Sequence, residues 1–184
     1  MDESTKEFVI KFTRSVIENF VKFHKVLKIP KDYPKELEEK RGVFVTLYKD
    51  SFLRGCVGIP YPVRSIIENL KDAAVSTTMD PRFLPLTESE LKDIKIEVSV
   101  LTEPEIIRVK NYSEYLDKIK EGVDGLIIKK NGNEGLFLPQ VWKEIPDKVK
   151  FLENLCMKAG LPPDEWKSQD MKIYKFQVEA ITEL

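Results

Sequence analysis

Within Leu53-Arg54-Gly55-Cys56-Val57-Gly58 a thiol and a guanidinium stand two residues apart, with a glycine on either side of Cys56-Val57. The thiolate is the nucleophilic form of cysteine, and a neighbouring cation favours it. Two residues of an extended strand are about 6.6 Å apart and return to the same face. Simple alternation therefore puts Arg54, Cys56 and Gly58 on one face and Leu53, Gly55, Val57 and Ile59 on the other. Glycine inside a strand marks a bulge or a close approach by a ligand or another backbone. Two readings of Cys56 stand on these residues: a nucleophile or acceptor whose thiolate Arg54 stabilises, or a small hydrophobe packed in a sheet.

Positive charge is mostly lysine; only six of the 30 basic residues are arginine. Three of the six, Arg54, Arg64 and Arg82, lie in or soon after this segment. Arginine offers a rigid two-pronged donor for carboxylate or phosphate. If the strand, the helix after it and the loop Asp80-Pro81-Arg82-Phe83 converge, the three line an anion-binding cleft. The competing reading pairs Arg82 with Asp80 or Glu97, as a lock on the loop. His24 is the only histidine, which excludes a multi-histidine zinc or iron centre.

The elements that must position these groups are legible. A β-branched and aromatic run over 42–48, a turn at Lys49-Asp50-Ser51 and a return over 52–59 predict a hairpin. A capping-box pattern at Ser4-Thr5-Lys6-Glu7 opens a helix expected to end near Leu27, with Phe8, Phe12, Val16, Phe20 and Phe23 as its core stripe. A second helix is predicted over 63–78, then a proline-stiffened loop over 79–86, then a short helix opened by Thr87 and Glu90. Residues 94–102 alternate as a strand. Further on come a Ser113-capped helix over 114–120, a hairpin around Asn131-Gly132-Asn133, a helix over 148–159 and one closing strand over 171–181. This order predicts an α+β fold, a mainly antiparallel sheet flanked by helices. No dinucleotide-binding or phosphate-binding glycine loop is present.

The 30 basic and 31 acidic residues nearly cancel, which argues against a broad electrostatic grip on nucleic acid. No apolar run reaches the roughly 20 residues that cross a bilayer, and the polar start, Met1 to Glu7, does not read as a signal peptide. The expected location is the cytoplasm. Cys56 and Cys156 are the only cysteines, which suits a reducing compartment. A disulfide between them stays open, because hyperthermophiles form intracellular disulfides. Abundant lysine and glutamate with scarce glutamine give a thermophile-like composition.

Seven segments together resemble the AMMECR domain family: Arg41-Gly42-Val43-Phe44-Val45-Thr46-Leu47, Leu53-Arg54-Gly55-Cys56-Val57-Gly58, Asp80-Pro81-Arg82-Phe83 with Pro85-Leu86, Ile96-Glu97-Val98-Ser99-Val100-Leu101-Thr102, Gly125-Leu126-Ile127-Ile128, Gly135-Leu136-Phe137-Leu138-Pro139-Gln140-Val141 and Cys156-Met157-Lys158-Ala159-Gly160-Leu161-Pro162. They come in the family's order and cover nearly the whole chain. Ile66-Ile67, Asn69 and Pro146-Asp147 depart from its usual residues. The resemblance implies one domain over 1–184, with a larger and a smaller lobe and the matching segments near a cleft between them. The family's biochemical activity is not established. Its domain is often encoded with, or fused to, Memo-type and radical S-adenosylmethionine proteins, which implies a shared modification pathway and those proteins as partners. No cofactor or metal is expected in this chain, and its oligomeric state is left open. The expected catalytic residues are Cys56, Arg54 and Glu97, the last as acid or base. The expected binding residues are Gly55, Gly58, Arg64, Asp80, Arg82 and Gln140. Two functions compete: a cysteine-dependent enzyme or substrate-carrying domain, and a non-catalytic domain that captures a peptide or small anion between the lobes.

Overall fold

A computed structural model describes residues 1–183. In chain order the elements are α1 (Glu3–Phe23), β1 (Val43–Lys49), β2 (Phe52–Ile59), α2 (Ile66–Thr77), β3 (Ile94–Leu101), β4 (Glu105–Ile106), α3 (Glu114–Lys118), β5 (Gly125–Lys130), β6 (Asn133–Phe137), α4 (Lys148–Lys158), β7 (Lys172–Phe176) and β8 (Val178–Thr182). The chain folds as two compact units, one of Met1–Leu101 with the stretch from Glu179 onward, the other of Thr102–Val178. The fold is α+β, with helices on two mainly antiparallel sheets.

The first unit holds the sheet β2-β1-β3-β8. Alternation on β1 and β3 sends Val43, Val45, Leu47, Ile96, Val98 and Val100 into a core with Val9, Phe12, Val16 and Ile17 of α1 and Ile66, Ile67, Leu70, Ala73 and Ala74 of α2. Burial of this apolar surface is the main force holding the helices to the sheet. The helix boundaries differ from the sequence reading. Asp2, not the Ser4 box, caps α1: its Oδ1 accepts the Thr5 N–H at 2.7 Å, and Thr5 is itself buried. His24 takes a left-handed conformation (φ 53°) and ends the helix before Leu27, leaving Phe23 exposed rather than in the core. Ser65 and Glu68 form an unforeseen capping box that starts α2 at Ile66. The Thr87–Glu90 box opens a 3-10 turn, Glu88–Glu90, rather than an α-helix.

The second unit holds the sheet β4-β7-β5-β6, antiparallel throughout. Its core gathers Leu126, Ile128, Trp142, Phe151, Leu155 and Cys156, with Trp142 stacked on Phe151 at 3.7 Å between centroids. Asn131 and Gly132 take positive φ and make the tight turn between β5 and β6. The Ser113 side chain does not cap α3; it bonds to Asn111 instead. The single closing strand is in fact two. Thr102 and Gln177 exchange hydrogen bonds at 2.9 Å, which takes Gln177 out of the ladder and lets β7 and β8 join different sheets.

Candidate functional site

The candidate site lies on β2, an edge strand of the first unit's sheet. Asp50 and Ser51, both at positive φ, form a two-residue turn closed by the pair Lys49–Phe52. Next to it, Tyr48 pairs with Leu53 but Leu47 pairs with Gly55, so Arg54 is the extra residue of a β-bulge. Adjacent residues of β1 face opposite ways, so the bulge puts Leu53 and Gly55 on opposite faces. The expected common face for those two is thus corrected.

The glycines are fixed by close approach. A Cβ at Gly55 would lie 2.7 Å from the Thr77 carbonyl oxygen at the end of α2. A Cβ at Gly58 would lie 2.4 Å from Phe44 Cγ and 2.3 Å from the Val43 carbonyl oxygen, because the ring of the cross-strand partner Phe44 occupies that space.

Cys56 is partly exposed and is not in a disulfide. Its cross-strand partner is Thr46, 3% exposed, whose hydroxyl donates to Sγ at 3.4 Å. Thr46 is in register with Glu97 on β3, so Cys56, Thr46 and Glu97 form one row across three strands. The main chain of Cys56 is held at the strand's free edge. Its N–H donates to Asp80 Oδ2 at 2.9 Å, and Arg82 Nη2 donates to its carbonyl at 3.0 Å. Arg82 also grips Asp80 with both prongs, Nε to Oδ1 at 3.0 Å and Nη2 to Oδ2 at 2.6 Å. Asp80 is nearly buried, while more than half of the Arg82 side chain is open to solvent.

These contacts set the charges. The Arg82 hydrogen bonds hold the Asp80 carboxyl down at about 2, against the opposing effect of burial and with help from the N–H groups of Cys56 and Arg82. The guanidinium of Arg82 is in turn raised, first by Asp80 and also by the sulfur of Cys56, through charge and hydrogen bonding. The Cys56 sulfur thus contributes to holding the charge on Arg82.

Arg54 is engaged elsewhere. Its Nε and Nη2 take both oxygens of Glu90, at 2.9 and 3.0 Å, and Nη2 also donates to the Leu84 carbonyl at 3.0 Å. Glu90 further accepts from the N–H and hydroxyl of Thr87 and from Lys49. Its carboxyl is held well below the usual carboxylate range, chiefly by Arg54. The Phe83 ring lies 5.9 Å from the Arg54 guanidinium and 5.7 Å from that of Arg82.

The other expected site residues are not drawn to this edge by any described contact. Arg64 pairs with Asp72 at 2.6 Å. Gln140 lies in the 3-10 turn Pro139–Lys143 of the second unit. Cys156 is fully buried in that unit's core, where burial pushes its thiol up to about 11. His24 caps α1. Sequence reasoning missed Thr46 and the full role of Glu90. The Thr87–Glu90 box signalled Glu90 as a cap; nothing in it signalled a partner for Arg54. Among the described residues no cluster of three or more histidine, cysteine or acidic side chains is placed to hold a metal, and no helix is long and apolar enough to cross a membrane.

A family model described as AMMECR1 matches residues 10–181. A protein of Methanocaldococcus jannaschii is 47% identical over 188 residues, which cover 100% of this chain and 92% of that protein. A protein of Methanothermobacter thermautotrophicus is 46% identical, covering 95% and 92% respectively. The crystal structure of an uncharacterized protein from Pyrococcus horikoshii superposes with a TM-score of 0.93 at 43% identity, covering 98% of this chain and 92% of that one.

Proposed function

The chain belongs to the AMMECR1 family, and on that footing we propose that the free edge of β2 is its working surface and Cys56 the group that reacts or is loaded. The observation that supports this most is the hydrogen bond from the nearly buried Thr46 hydroxyl to Cys56 Sγ. A donor on sulfur and a coupled guanidinium both favour the thiolate. The roles then differ from those expected. Arg82 is the thiolate-stabilising cation, Asp80 positions both Arg82 and the Cys56 main chain, and Glu97 stands behind Thr46 as acid or base. Arg54 shapes the end of the strand through Glu90. In a modification pathway with Memo-type or radical S-adenosylmethionine partners, those partners would supply or take the carried group.

Iodoacetamide alkylation of Cys56, followed by intact mass, tests this. Arg82→Ala and Thr46→Val are each expected to slow labelling at neutral pH by about threefold or more, as lost thiolate stabilisation requires. Equal rates in all three proteins would remove the reactive-thiol reading.

A second reading has its own support, since Arg82 is solvent-open and shares the Phe83 ring with Arg54. On it the edge captures a peptide or small anion without chemistry. Binding that is lost with Arg82→Ala yet kept with Cys56→Ser selects this reading over the first.

A further inference from the structure

The sheet of the first unit has two edges, and the protein treats them differently. Edge strands expose unpaired N–H and C=O groups, and proteins blunt them with bulges, charges or covering loops. The β2 edge carries all three devices: the bulge at Arg54, the charges of Asp80 and Arg82, and the loop that bears them. On the opposite edge, β8, the one charged side chain is Glu179, and the Met1 ammonium engages it at 3.1 Å.

The Glu183 N–H donates inward to the Ile96 carbonyl at 2.9 Å. The two-residue strand period then turns the N–H and C=O of Ala180 and Thr182 outward. Both residues are exposed, and among the described residues no hydrogen bond from beyond the sheet reaches either. Neither is charged, and β8 contains no proline.

Beside this edge runs a groove of about 410 Å³, walled by Ala180, Ile181, Thr182 and the Arg14-paired Glu183 on one side and by the first turns of α1 on the other. The helix wall presents Glu3, Lys6, Glu7, Ile10 and Lys11. Its two acids and two lysines pair within the helix, Glu3 with Lys6 at 2.9 Å and Glu7 with Lys11 at 3.4 Å, around one aliphatic side chain. A copy running the opposite way sets an acid–base pair against a base–acid pair, so the exposed charges can be shared across the contact.

We propose that β8 is a self-association edge and that its occupant is β8 of a second copy of this chain. A two-fold axis through Ile181 sets Ala180 opposite Thr182 of the other copy, and four main-chain hydrogen bonds join two four-stranded sheets into one of eight. The same axis brings the two α1 stripes together on one face of the joined sheet, acids of each against lysines of the other. A two-fold contact must be self-complementary in this way.

Sedimentation velocity on the full chain over a wide concentration range tests the proposal. Wild type is expected to reach twice the 21.4 kDa chain mass. The acidic variant Lys6→Glu/Lys11→Glu and the basic variant Glu3→Lys/Glu7→Lys should each weaken dimerisation at least tenfold, and a mixture of the two should restore it. All four positions are surface positions on the helix, and circular dichroism verifies that each variant folds. Hydrogen exchange supplies a second readout: the Ala180 and Thr182 amides should exchange at least tenfold more slowly in concentrated than in dilute wild type. A wild type that stays monomeric, a dimer indifferent to either charge reversal, variants that do not pair when mixed, or amides at those two positions insensitive to concentration would each overturn it.

Discussion

Asp80 accepts the main-chain N–H of Cys56 at 2.9 Å while Arg82, clamped to the same carboxylate, donates to the Cys56 carbonyl at 3.0 Å. One acidic and one basic side chain thus stand where a neighbouring strand would place its own carbonyl and amide. The thiol-bearing residue is held at a sheet edge by two side chains of the 79–86 loop rather than by a further strand.

This clamp gives the protein a defined acid weakness. The Asp80 carboxyl is held near 2, below its ordinary 3.8. A carboxyl depressed on folding contributes stability above its unfolded-state value and loses it as pH falls through its folded-state value. The contribution, about 1–2 kcal/mol after allowing for solvent around Arg82, should therefore be present from neutral pH to about 4 and vanish between about 4 and 2. Urea unfolding across pH measures it. Asp80→Asn should lower stability at pH 7 by a similar amount and flatten the acid slope; a residual slope is expected, because the Glu90 carboxyl is depressed as well.

The two signature glycines should fail differently on substitution. At Gly55 a methyl group meets the Thr77 carbonyl at 2.7 Å, and main chain cannot easily give way. Gly55→Ala is expected to cost about 1–3 kcal/mol through overpacking and displacement of the end of α2. At Gly58 the nearest atoms are the Val43 carbonyl oxygen at 2.3 Å, Phe44 Cγ at 2.4 Å and Phe44 Cα at 2.6 Å. Gly58→Ala should be partly rescued by Phe44→Ala, which removes Cγ but leaves the two main-chain contacts, whereas Gly55→Ala should be insensitive to it. Thermal unfolding of the two glycine variants, each with and without Phe44→Ala, separates the cases.

The two cysteines should also separate. Cys56 is partly exposed, whereas Cys156 is sealed in a core that pushes its thiol up to about 11. Native protein at pH 7.5 is expected to take up one alkyl group per chain and denatured protein two. Rapid double labelling of the native state would show that Cys156 is reached by local opening of the second unit.

Composition and periodicity made the hairpin, α2, β3 and the loop at 79–86 readable, because each rests on local pattern: alternation, capping boxes and prolines. What they could not give was register. Counting back from the tight turn pairs Cys56 with Val45, and only the bulge at Arg54 moves it opposite Thr46. That single inserted residue decides which side chain donates to the sulfur. It also breaks the alternation from which Arg54 appeared to be the cation for Cys56. The Gly55 spacing hinted at a bulge, but not at its position. Likewise β7 and β8 read as one strand, because the exchange between Thr102 and Gln177 joins residues 75 apart.

The sharpest prediction concerns the two arginines, which make different contacts around Cys56. Arg54 lies beside Cys56 in sequence, but its guanidinium is closed on Glu90 and the Leu84 carbonyl. Arg82 is 26 residues away in sequence, yet it touches the main chain of Cys56 and is coupled to its sulfur. Glu90→Gln should free Arg54, loosen residues 84–90 and cost about 1–3 kcal/mol, because a charged acceptor serving several donors is lost. Limited proteolysis should then cut within 84–90 several times faster, while Cys56 alkylation at neutral pH changes less than twofold. Arg82→Ala should do the reverse to the thiol, slowing alkylation about threefold or more. If Glu90→Gln slows alkylation as much as Arg82→Ala does, the thiol senses Arg54 after all, and the assignment of Arg82 as its cation is wrong.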